Sequence, residues 1–214
     1  MEIRVVENLL KANEAVAAQT LERLAKHGVR AINMIGSAGS GKTALLEATL
    51  PRLRESLGVA VIEGDLQTTR DAERIDRIGV PVVQVTTGKS CHLPPQLVLR
   101  ALDGLDLDAI DLLFIENVGN LICPSEIPVG EHHKVAVLST PEGDDKVLKY
   151  PMLFHLADAV VINKIDLLPH VTCDVGRIRS DLEQVGSRAQ IFEVSARTGE
   201  GLDGYIGWLL GLVG

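Results

Sequence analysis

Seven short apolar runs are spread along the chain, separated by longer segments in which apolar residues are more widely spaced. Runs this short, with little alternation of apolar and polar residues, are typical of strands buried on both faces of a sheet. The pattern predicts strands over residues 29–35, 59–62, 81–85, 111–116, 135–138, 160–162 and 191–194.

The segments between these runs place apolar residues at helical spacing. This spacing predicts helices over residues 43–57, 69–78 and 97–102, and a closing helix that carries Leu202, Ile206, Leu209 and Leu210. An amphipathic helix is also predicted over residues 3–27, ending at Gly28, with apolar positions at Ile3, Val6, Leu10, Val16 or Ala17, Leu21 and Leu24. We expect this first helix to pack against the sheet or a partner subunit.

Strands that alternate with helices favour a mostly parallel sheet with helices on both faces. We therefore predict an α/β fold with a seven-stranded sheet. We see no internal repeat or linker, and expect a single domain over residues 1–214, with residues 1–28 as an N-terminal helix packed on it. Ligands of such sheets lie outside the carboxyl ends of the strands, and each motif described below follows a strand.

The segment after the first strand fits the phosphate-binding pattern G-x-x-x-x-G-K-S/T. The matching residues are Gly36, Ser37, Ala38, Gly39, Ser40, Gly41, Lys42 and Thr43, and Ala44 completes the predicted nucleotide-binding segment. Glycines let successive backbone N–H groups point at phosphate oxygens, and the following helix begins with the end that favours anions. Lys42 is expected to contact the β- and γ-phosphates, and the Thr43 hydroxyl is expected to bind Mg²⁺.

Residues Asn163 to Asp166 fit N-K-x-D, the guanine-reading pattern, directly after the sixth predicted strand. A carboxylate at Asp166 can accept hydrogen bonds from guanine N1–H and N2, which adenine cannot supply. Lys164 can lie along the base, and Asn163 can tie its loop to the phosphate-binding loop. A backbone N–H of Ser195 or Ala196 is expected to reach guanine O6. A polar loop with a helix-capping aspartate is the alternative interpretation.

Carboxylates at two other strand ends are candidates for the magnesium shell and for catalysis. Asp65 is expected to orient the Mg²⁺ shell or the attacking water, and Asp71 is a second candidate on the following helix. Glu116 is expected near magnesium-bound water, with Gly119 near the γ-phosphate. A carboxylate at a strand end can instead be a solvated residue or a helix cap.

A second group of residues has the donor atoms of a transition-metal site: Cys91, His92 and Cys123. Thiolate and imidazole bind Zn²⁺ and Ni²⁺, and the sheet topology should bring both loops to the same edge. Three ligands do not complete a tetrahedral site, whereas a two-fold dimer would double them. From spacing alone, ordinary cysteine and histidine residues remain an alternative.

Composition narrows the classes of partner and compartment. The chain has 214 residues, of which 46% are hydrophobic and 3% aromatic, so its core should consist of aliphatic side chains. A formal net charge of −8 argues against a nucleic-acid partner. No apolar run reaches the length of a membrane span, and the three cysteines suggest reduced thiols in the cytoplasm.

The motifs together resemble one family, the nickel-incorporation GTPases of nickel–iron hydrogenase maturation, or HypB family. The shared segments read G-S-A-G-S-G-K-T, E-G-D, G-K-x-C-H-L, E-N-V-G-N-L-x-C-P, E-G-D-D-K-x-x-K-Y-P and N-K-x-D. The resemblance implies a SIMIBI-type P-loop GTPase that hydrolyses GTP with Mg²⁺ and forms a homodimer with GTP. It also implies a Ni²⁺ or Zn²⁺ site at Cys91, His92 and Cys123 at the dimer interface. Nickel would pass to the hydrogenase large subunit with the help of a small zinc-containing partner, HypA.

Two features bear on this resemblance. The chain begins Met-Glu-Ile-Arg, without the cysteine-rich or histidine-rich segment of some members, so we expect no N-terminal nickel storage. One of Lys146 and Lys149 is expected to contact nucleotide across the dimer.

Three other functions remain open from sequence. A urease accessory GTPase would show Cys-Pro-His where this chain has Cys91-His92-Leu93. A GTP-dependent regulatory switch would have no metal cargo, and a P-loop kinase would phosphorylate a small molecule. The N-K-x-D motif argues against the kinase.

Overall fold

The computed structural model describes residues 2–65, 67–88 and 90–213. Seven strands form one sheet in the order β3-β2-β4-β1-β5-β6-β7, and every pairing between them is parallel. The strands are β1 (Arg30–Gly36), β2 (Val59–Asp65), β3 (Val82–Thr86), β4 (Leu112–Glu116), β5 (His133–Ser139), β6 (Ala159–Asn163) and β7 (Gln190–Glu193). The predicted α/β fold with a seven-stranded parallel sheet is therefore confirmed.

The helices cover both faces of the sheet. They are α1 (Glu2–Lys26), α2 (Lys42–Leu53), α3 (Arg70–Arg77), α4 (Pro95–Ala101), α5 (Cys123–Glu126), α6 (Lys146–Lys149), α7 (Pro151–Leu156), α8 (Val175–Gln184) and α9 (Leu202–Gly211). The side chains of Ile3, Val6 and Leu10 lie outside the part of α1 whose side chains are described.

Two helix predictions need correction. Helix α2 ends at Leu53 rather than at residue 57, because the amides of Ser56 and Leu57 both donate to the Leu53 carbonyl and close the helix with a tight turn. Helix α8, like the short helices α5, α6 and α7, is absent from the sequence-based predictions. Its only buried apolar residues are Ile178 and Leu182, so its apolar pattern is weak, but Asp174 caps it by accepting the Arg177 N–H.

Aliphatic side chains from the sheet pack against helices on each face. On one face, β1 and β4 contribute Ile32 and Phe114, which pack with α2 and α9. On the other face, Ile62 and Leu113 pack with α4 and with Leu24 of α1. The strands β4 and β6, which both have a neighbouring strand on each side, are buried along their whole lengths, as expected for strands covered on both faces.

The strand register places several of the candidate residues at one edge. β1 ends at Gly36, β2 ends at Asp65 and β4 ends at Glu116, with Glu63 paired directly across from Glu116. Because all the strands run in the same direction, their carboxyl ends form the surface on which a ligand binds. Among the described residues, no helix has both the length and the hydrophobicity needed to cross a bilayer.

Candidate GTP and metal sites

The phosphate-binding loop connects β1 to α2 and folds tightly around its own backbone. Gly39 and Gly41 have φ of 82° and 94°, in the left-handed region that favours glycine. Lys42 Nζ donates to the Gly36 carbonyl oxygen at 3.2 Å. A Cβ added to Gly119 would lie 2.8 Å from the Ala38 nitrogen, so the loop after β4 packs directly on the phosphate-binding loop.

Two buried carboxyl groups lie at the base of the pocket that this loop encloses. Glu116 Oε1 accepts the Thr43 hydroxyl at 2.9 Å and lies 3.9 Å from Lys42 Nζ. Burial raises the pKa of Glu116, although Lys42 and Thr43 act in the opposite direction. Burial, and then the neighbouring Glu116, raises the pKa of Glu63. The burial of two neighbouring carboxyl groups thus disfavours the ionisation of both together.

The donor set of this pocket fits Mg²⁺. Within the described chain, Glu116 Oε2 and Glu63 Oε2 are buried without a hydrogen-bond partner. The Thr43 hydroxyl and the Asp65 and Asp71 carboxylates line the same pocket. Oxygen ligands are those that Mg²⁺ prefers, and a cation would satisfy the unpaired oxygens.

Asp65 and Asp71 have different surroundings in this pocket. Asp65 Oδ1 accepts the amides of Gln67 and Thr68 at 2.8 and 2.7 Å, which holds the turn after β2. Asp71 accepts a hydrogen bond from Arg74 Nη1 at 2.8 Å. The Asp71 carboxylate is thus already in an ion pair, whereas the Asp65 carboxylate is held by backbone amides of the turn that follows it.

The N-K-x-D segment lies beside the phosphate-binding loop. Asn163 Nδ2 donates to the Ser40 carbonyl at 3.2 Å, and Lys164 Nζ donates to the Gly39 carbonyl. Asp166 Oδ1 accepts the Ser195 hydroxyl at 2.7 Å. A pocket between these groups is lined by Ala44, Asn163, Lys164, Asp166, Ala196 and Arg197. This pocket and the phosphate pocket share Ala44, in the first turn of α2, as a lining residue.

The backbone amides expected at guanine O6 already have partners in this structure. The Ser195 N–H donates to the Glu200 carbonyl at 2.9 Å, and the Ala196 N–H donates to Asn163 Oδ1 at 3.1 Å. An O6 contact at Ala196 would therefore share that N–H with Asn163.

The three candidate metal donors meet within one chain. Cys91 Sγ lies 2.8 Å from Cys123 Sγ and 3.8 Å from His92 Nδ1. Their ligand atoms lie within 4.8 Å of one another, near the surface. The hydrogen bond with Cys91, followed by burial, raises the pKa of the Cys123 thiol, and burial lowers the pKa of His92. The lowered pKa favours the neutral imidazole, the form that binds metal, and a thiol releases its proton when it binds an ion.

Four residues that line the phosphate pocket are absent from the sequence-based site predictions: Glu63, Gly64, Arg74 and Asn117. Glu63 stands two residues before Asp65 and belongs to the E-G-D segment, so its place at a strand end was visible in the sequence. Arg74 donates to Glu47 Oε2 at 2.6 Å and to Asp71, and these hydrogen bonds raise its pKa. Only the packing of α3 against α2 shows that Arg74 reaches this pocket.

Comparison with known proteins gives consistent matches. A model of the "CobW/HypB/UreG, nucleotide-binding domain" matches residues 30–193. The hydrogenase maturation factor HypB of Rhizobium leguminosarum bv. viciae is 46% identical over 207 residues, covering 97% of this chain and 69% of the relative. The crystal structure of HypB from Helicobacter pylori in complex with nickel has a TM-score of 0.89 at 41% identity, covering 94% of each chain.

A second solved structure agrees. HypB from Archaeoglobus fulgidus has a TM-score of 0.89 at 38% identity, covering 95% of this chain and 100% of its own. The fold, the motifs and the sequence identity therefore all match the HypB proteins over nearly the whole chain. The chain belongs to the HypB family of hydrogenase maturation factors, within the CobW/HypB/UreG group of nucleotide-binding domains.

Proposed function

We propose that this chain is a GTP-hydrolysing metallochaperone that dimerises with GTP and assists nickel insertion into nickel–iron hydrogenase. One observation carries the proposal. The phosphate pocket and the cluster of Cys91, His92 and Cys123 lie at the same sheet edge, joined by the short segment 116–123. A conformational change beside the γ-phosphate can therefore be transmitted to Cys123 through this short segment.

The proposed hydrolytic site uses the residues of the phosphate pocket. Backbone amides of residues 36–44 hold the phosphates, and Lys42 exchanges the Gly36 carbonyl for phosphate oxygens. Thr43, Glu116 and Asp65, with Asp71 as a further candidate, would hold Mg²⁺, which supplies charge neutralisation at the phosphates. Asp65 orients the attacking water, and Gly119 brings a backbone amide towards the γ-phosphate.

The proposed base site reads guanine through Asp166. Its carboxylate accepts from guanine N1–H and N2, Lys164 covers the base, and Ala196 donates to O6. The existing bonds of Asn163 and Lys164 to the carbonyls of Ser40 and Gly39 support this placement, because they set the base pocket at a constant distance from the phosphates.

The proposed cargo is Ni²⁺, and Zn²⁺ suits the same donors. The relative from Helicobacter pylori was crystallised with nickel, which supports this choice. Three donors from one chain leave a four-coordinate ion incomplete, so a second copy of this chain supplies the rest. Ile122, directly before Cys123, is 58% exposed, and Met152, which lines the same surface pocket as Ile122, is also exposed, which favours a contact between copies.

The proposed partners follow from family membership. The hydrogenase large subunit receives the metal, a HypA-like zinc protein assists, and the protein acts in the cytoplasm as a single GTPase domain. The net charge of −8 argues against nucleic acid as a partner.

The test is to measure Ni²⁺ binding and GTP hydrolysis on the same preparations. We expect the wild type to hydrolyse GTP and to bind Ni²⁺ with a thiolate-to-metal absorption band, and Cys91→Ala to lose that band. Cys173→Ala is the matched control, because Cys173 is partly buried and lies outside the metal-donor group. Unchanged Ni²⁺ binding in Cys91→Ala, with normal GTP hydrolysis, would favour a GTP-dependent switch without metal cargo.

A further inference from the structure

One buried side chain, Asn117, lines the phosphate pocket and contacts the metal-ligand loop, residues 90–93. Asn117 follows Glu116 at the end of β4, is 1% exposed, and lines the phosphate pocket. Its Oδ1 accepts the Leu93 N–H at 3.0 Å and the Val118 N–H at 3.1 Å. Leu93 is the residue directly after His92. The amide of Asn117 therefore fixes the backbone next to two metal donors.

A second contact holds Leu93 from the other side. The Leu93 side chain is fully buried, and a Cβ added to Gly64 would lie 2.6 Å from Leu93 Cγ. Gly64 also lines the phosphate pocket and directly precedes Asp65. The end of the metal-ligand loop is thus held at two points, both of them residues that line the phosphate pocket.

The amide group of Asn117 is itself held in one orientation. Its Nδ2 donates to Asn33 Oδ1 at 3.2 Å, and Asn33 Nδ2 donates to Glu131 Oε1 at 3.3 Å. Asn33 lies on β1 and is fully buried. Because each amide has partners for both its oxygen and its nitrogen, a rotation of Asn117 would break several bonds at once. Asn117 Oδ1 therefore moves with the backbone at the end of β4, and does not swing freely.

We propose that Asn117 is a positioning residue that transmits the state of the phosphate pocket to the Cys91-His92 loop. The inference rests on the proposed function, in which GTP controls metal binding. Gly119 lies two residues beyond Asn117 and packs on Ala38 of the phosphate-binding loop. A γ-phosphate that shifts this segment also shifts Asn117 Oδ1, the Leu93 amide and the neighbouring His92. The two nucleotide states then differ in the spacing of the metal donors, which is what coupling requires.

The experiment compares Ni²⁺ affinity in two nucleotide states, by competition with a chromophoric chelator at saturating non-hydrolysable GTP analogue or GDP. For the wild type we expect the two affinities to differ by about 5–150-fold, the usual range of coupling between sites. In Asn117→Ala the difference should fall to within about twofold, because Leu93 is no longer tied to the end of β4. Nucleotide affinity is measured in parallel, so that saturation is verified for each variant.

Ser90→Ala is the matched control. The Ser90 hydroxyl donates to the His92 carbonyl at 2.8 Å, a bond that lies within the metal-ligand loop. Its loss should weaken Ni²⁺ binding equally in both nucleotide states and leave their ratio unchanged. If Ser90→Ala reduced the ratio of the two Ni²⁺ affinities as much as Asn117→Ala does, then any loosening of the loop would uncouple the sites. That result would overturn the specific role of Asn117.

Gly64→Ala tests the same inference if Asn117→Ala does not fold, since it displaces Leu93 from the opposite side and should also lower the ratio. A wild-type ratio retained in the folded variants would overturn the role of Asn117 and leave the proposed function intact. Equal Ni²⁺ affinities of the wild type with GTP analogue and GDP would overturn both, because there would be no nucleotide control to transmit.

Discussion

Asp166 is held by one neighbour in a position suited to reading a base. Its Oδ1 accepts the Ser195 hydroxyl at 2.7 Å. The residue lines a pocket that is also lined by Ala44, in the first turn of α2. The serine holds one carboxylate oxygen, and in the proposed base site the carboxylate accepts the two N–H donors of guanine. In the proposed site, base selectivity depends on hydrogen-bond polarity, which the exchange of one carboxylate oxygen for an amide nitrogen reverses.

The first prediction concerns Asp166→Asn. The amide offers a donor where guanine's amine needs an acceptor, so GTP affinity should fall and xanthosine triphosphate should become the better ligand. Sites that pair in this way discriminate by about 10⁴-fold, so the exchange is measurable by competition against a fluorescent nucleotide. Equal binding of ATP and GTP by the wild type would contradict guanine reading altogether.

Arg74 bears on the rate of hydrolysis. Its guanidinium lines the phosphate pocket but donates to Glu47 at 3.0 and 2.6 Å and to Asp71 at 2.8 Å. The two carboxylates balance the charge of this guanidinium and occupy several of its N–H groups, which leaves few of them free to stabilise a transferring phosphoryl group.

The second prediction is therefore slow intrinsic hydrolysis. A free arginine finger contributes about 10³–10⁵ in rate, and without one we expect turnover below about 1 s⁻¹. Arg74→Ala should change this turnover by less than about tenfold, whereas Lys42→Ala should abolish hydrolysis and most nucleotide binding. Single-turnover phosphate release measures all three, and a large loss in Arg74→Ala would show that Arg74 contacts the phosphates after all.

At the level of elements, helix α1 packs closely on the loop before β5. Gly130 has φ of 93°, and a Cβ there would meet the Thr20 side chain and the Ala17 carbonyl of α1. Ala17 and Leu24 of the same helix are buried. The glycine therefore serves two purposes: it adopts a backbone conformation that disfavours side chains, and it lets the helix approach the loop.

The third prediction compares Gly130→Ala with Gly28→Ala. Both glycines have positive φ, but a Cβ on Gly28 meets no described atom within 4 Å, so this variant isolates the backbone strain. Gly130→Ala should lower the free energy of unfolding by about 1–3 kcal/mol more than Gly28→Ala does, because it also forces α1 away from the loop. Denaturant unfolding measures the difference, and equal losses would mean that α1 accommodates the added methyl group.

At the level of the whole molecule, the metal donors lie near the surface and leave an ion incompletely ligated by one chain. Cys91 is exposed and Cys123 is partly exposed. If two chains share the ion across a two-fold axis, whatever favours the dimer also favours the closed metal site. Linkage then requires that metal and GTP tighten each other's binding by the same factor.

The fourth prediction follows from that geometry. Cys123→Ala should lose the metal-dependent part of dimerisation and keep GTP binding, because Cys123 lies outside the phosphate and base pockets. Light scattering with and without Ni²⁺, in the presence of GTP analogue, reports the dimer fraction, and Cys173→Ala serves as the control. A Ni²⁺-dependent dimer that persists in Cys123→Ala would place the shared ion elsewhere.

The parts of this protein that were predictable from sequence have a local cause. Each strand is a short run of apolar residues, so these runs predicted all seven strands, with boundaries shifted by a few residues. The phosphate-binding loop depends on glycines and a lysine that are neighbours in the chain. Parallel strands place their carboxyl ends together, and this rule alone predicts that residues 91 and 123 lie at the same edge of the sheet.

Other features required the tertiary structure, because they depend on residues that are distant in the chain. Helix α8 has few buried apolar residues and is stabilised by its cap and its packing. Arg74 reaches the phosphate pocket only because α3 packs on α2. The raised pKa values of Glu63 and Glu116 follow from strand register and burial, and Asn117 meets Leu93 across 24 positions of sequence. The sequence by itself determined the strands, the motifs and their common edge, whereas three-dimensional packing decided which side chains connect the candidate nucleotide and metal sites.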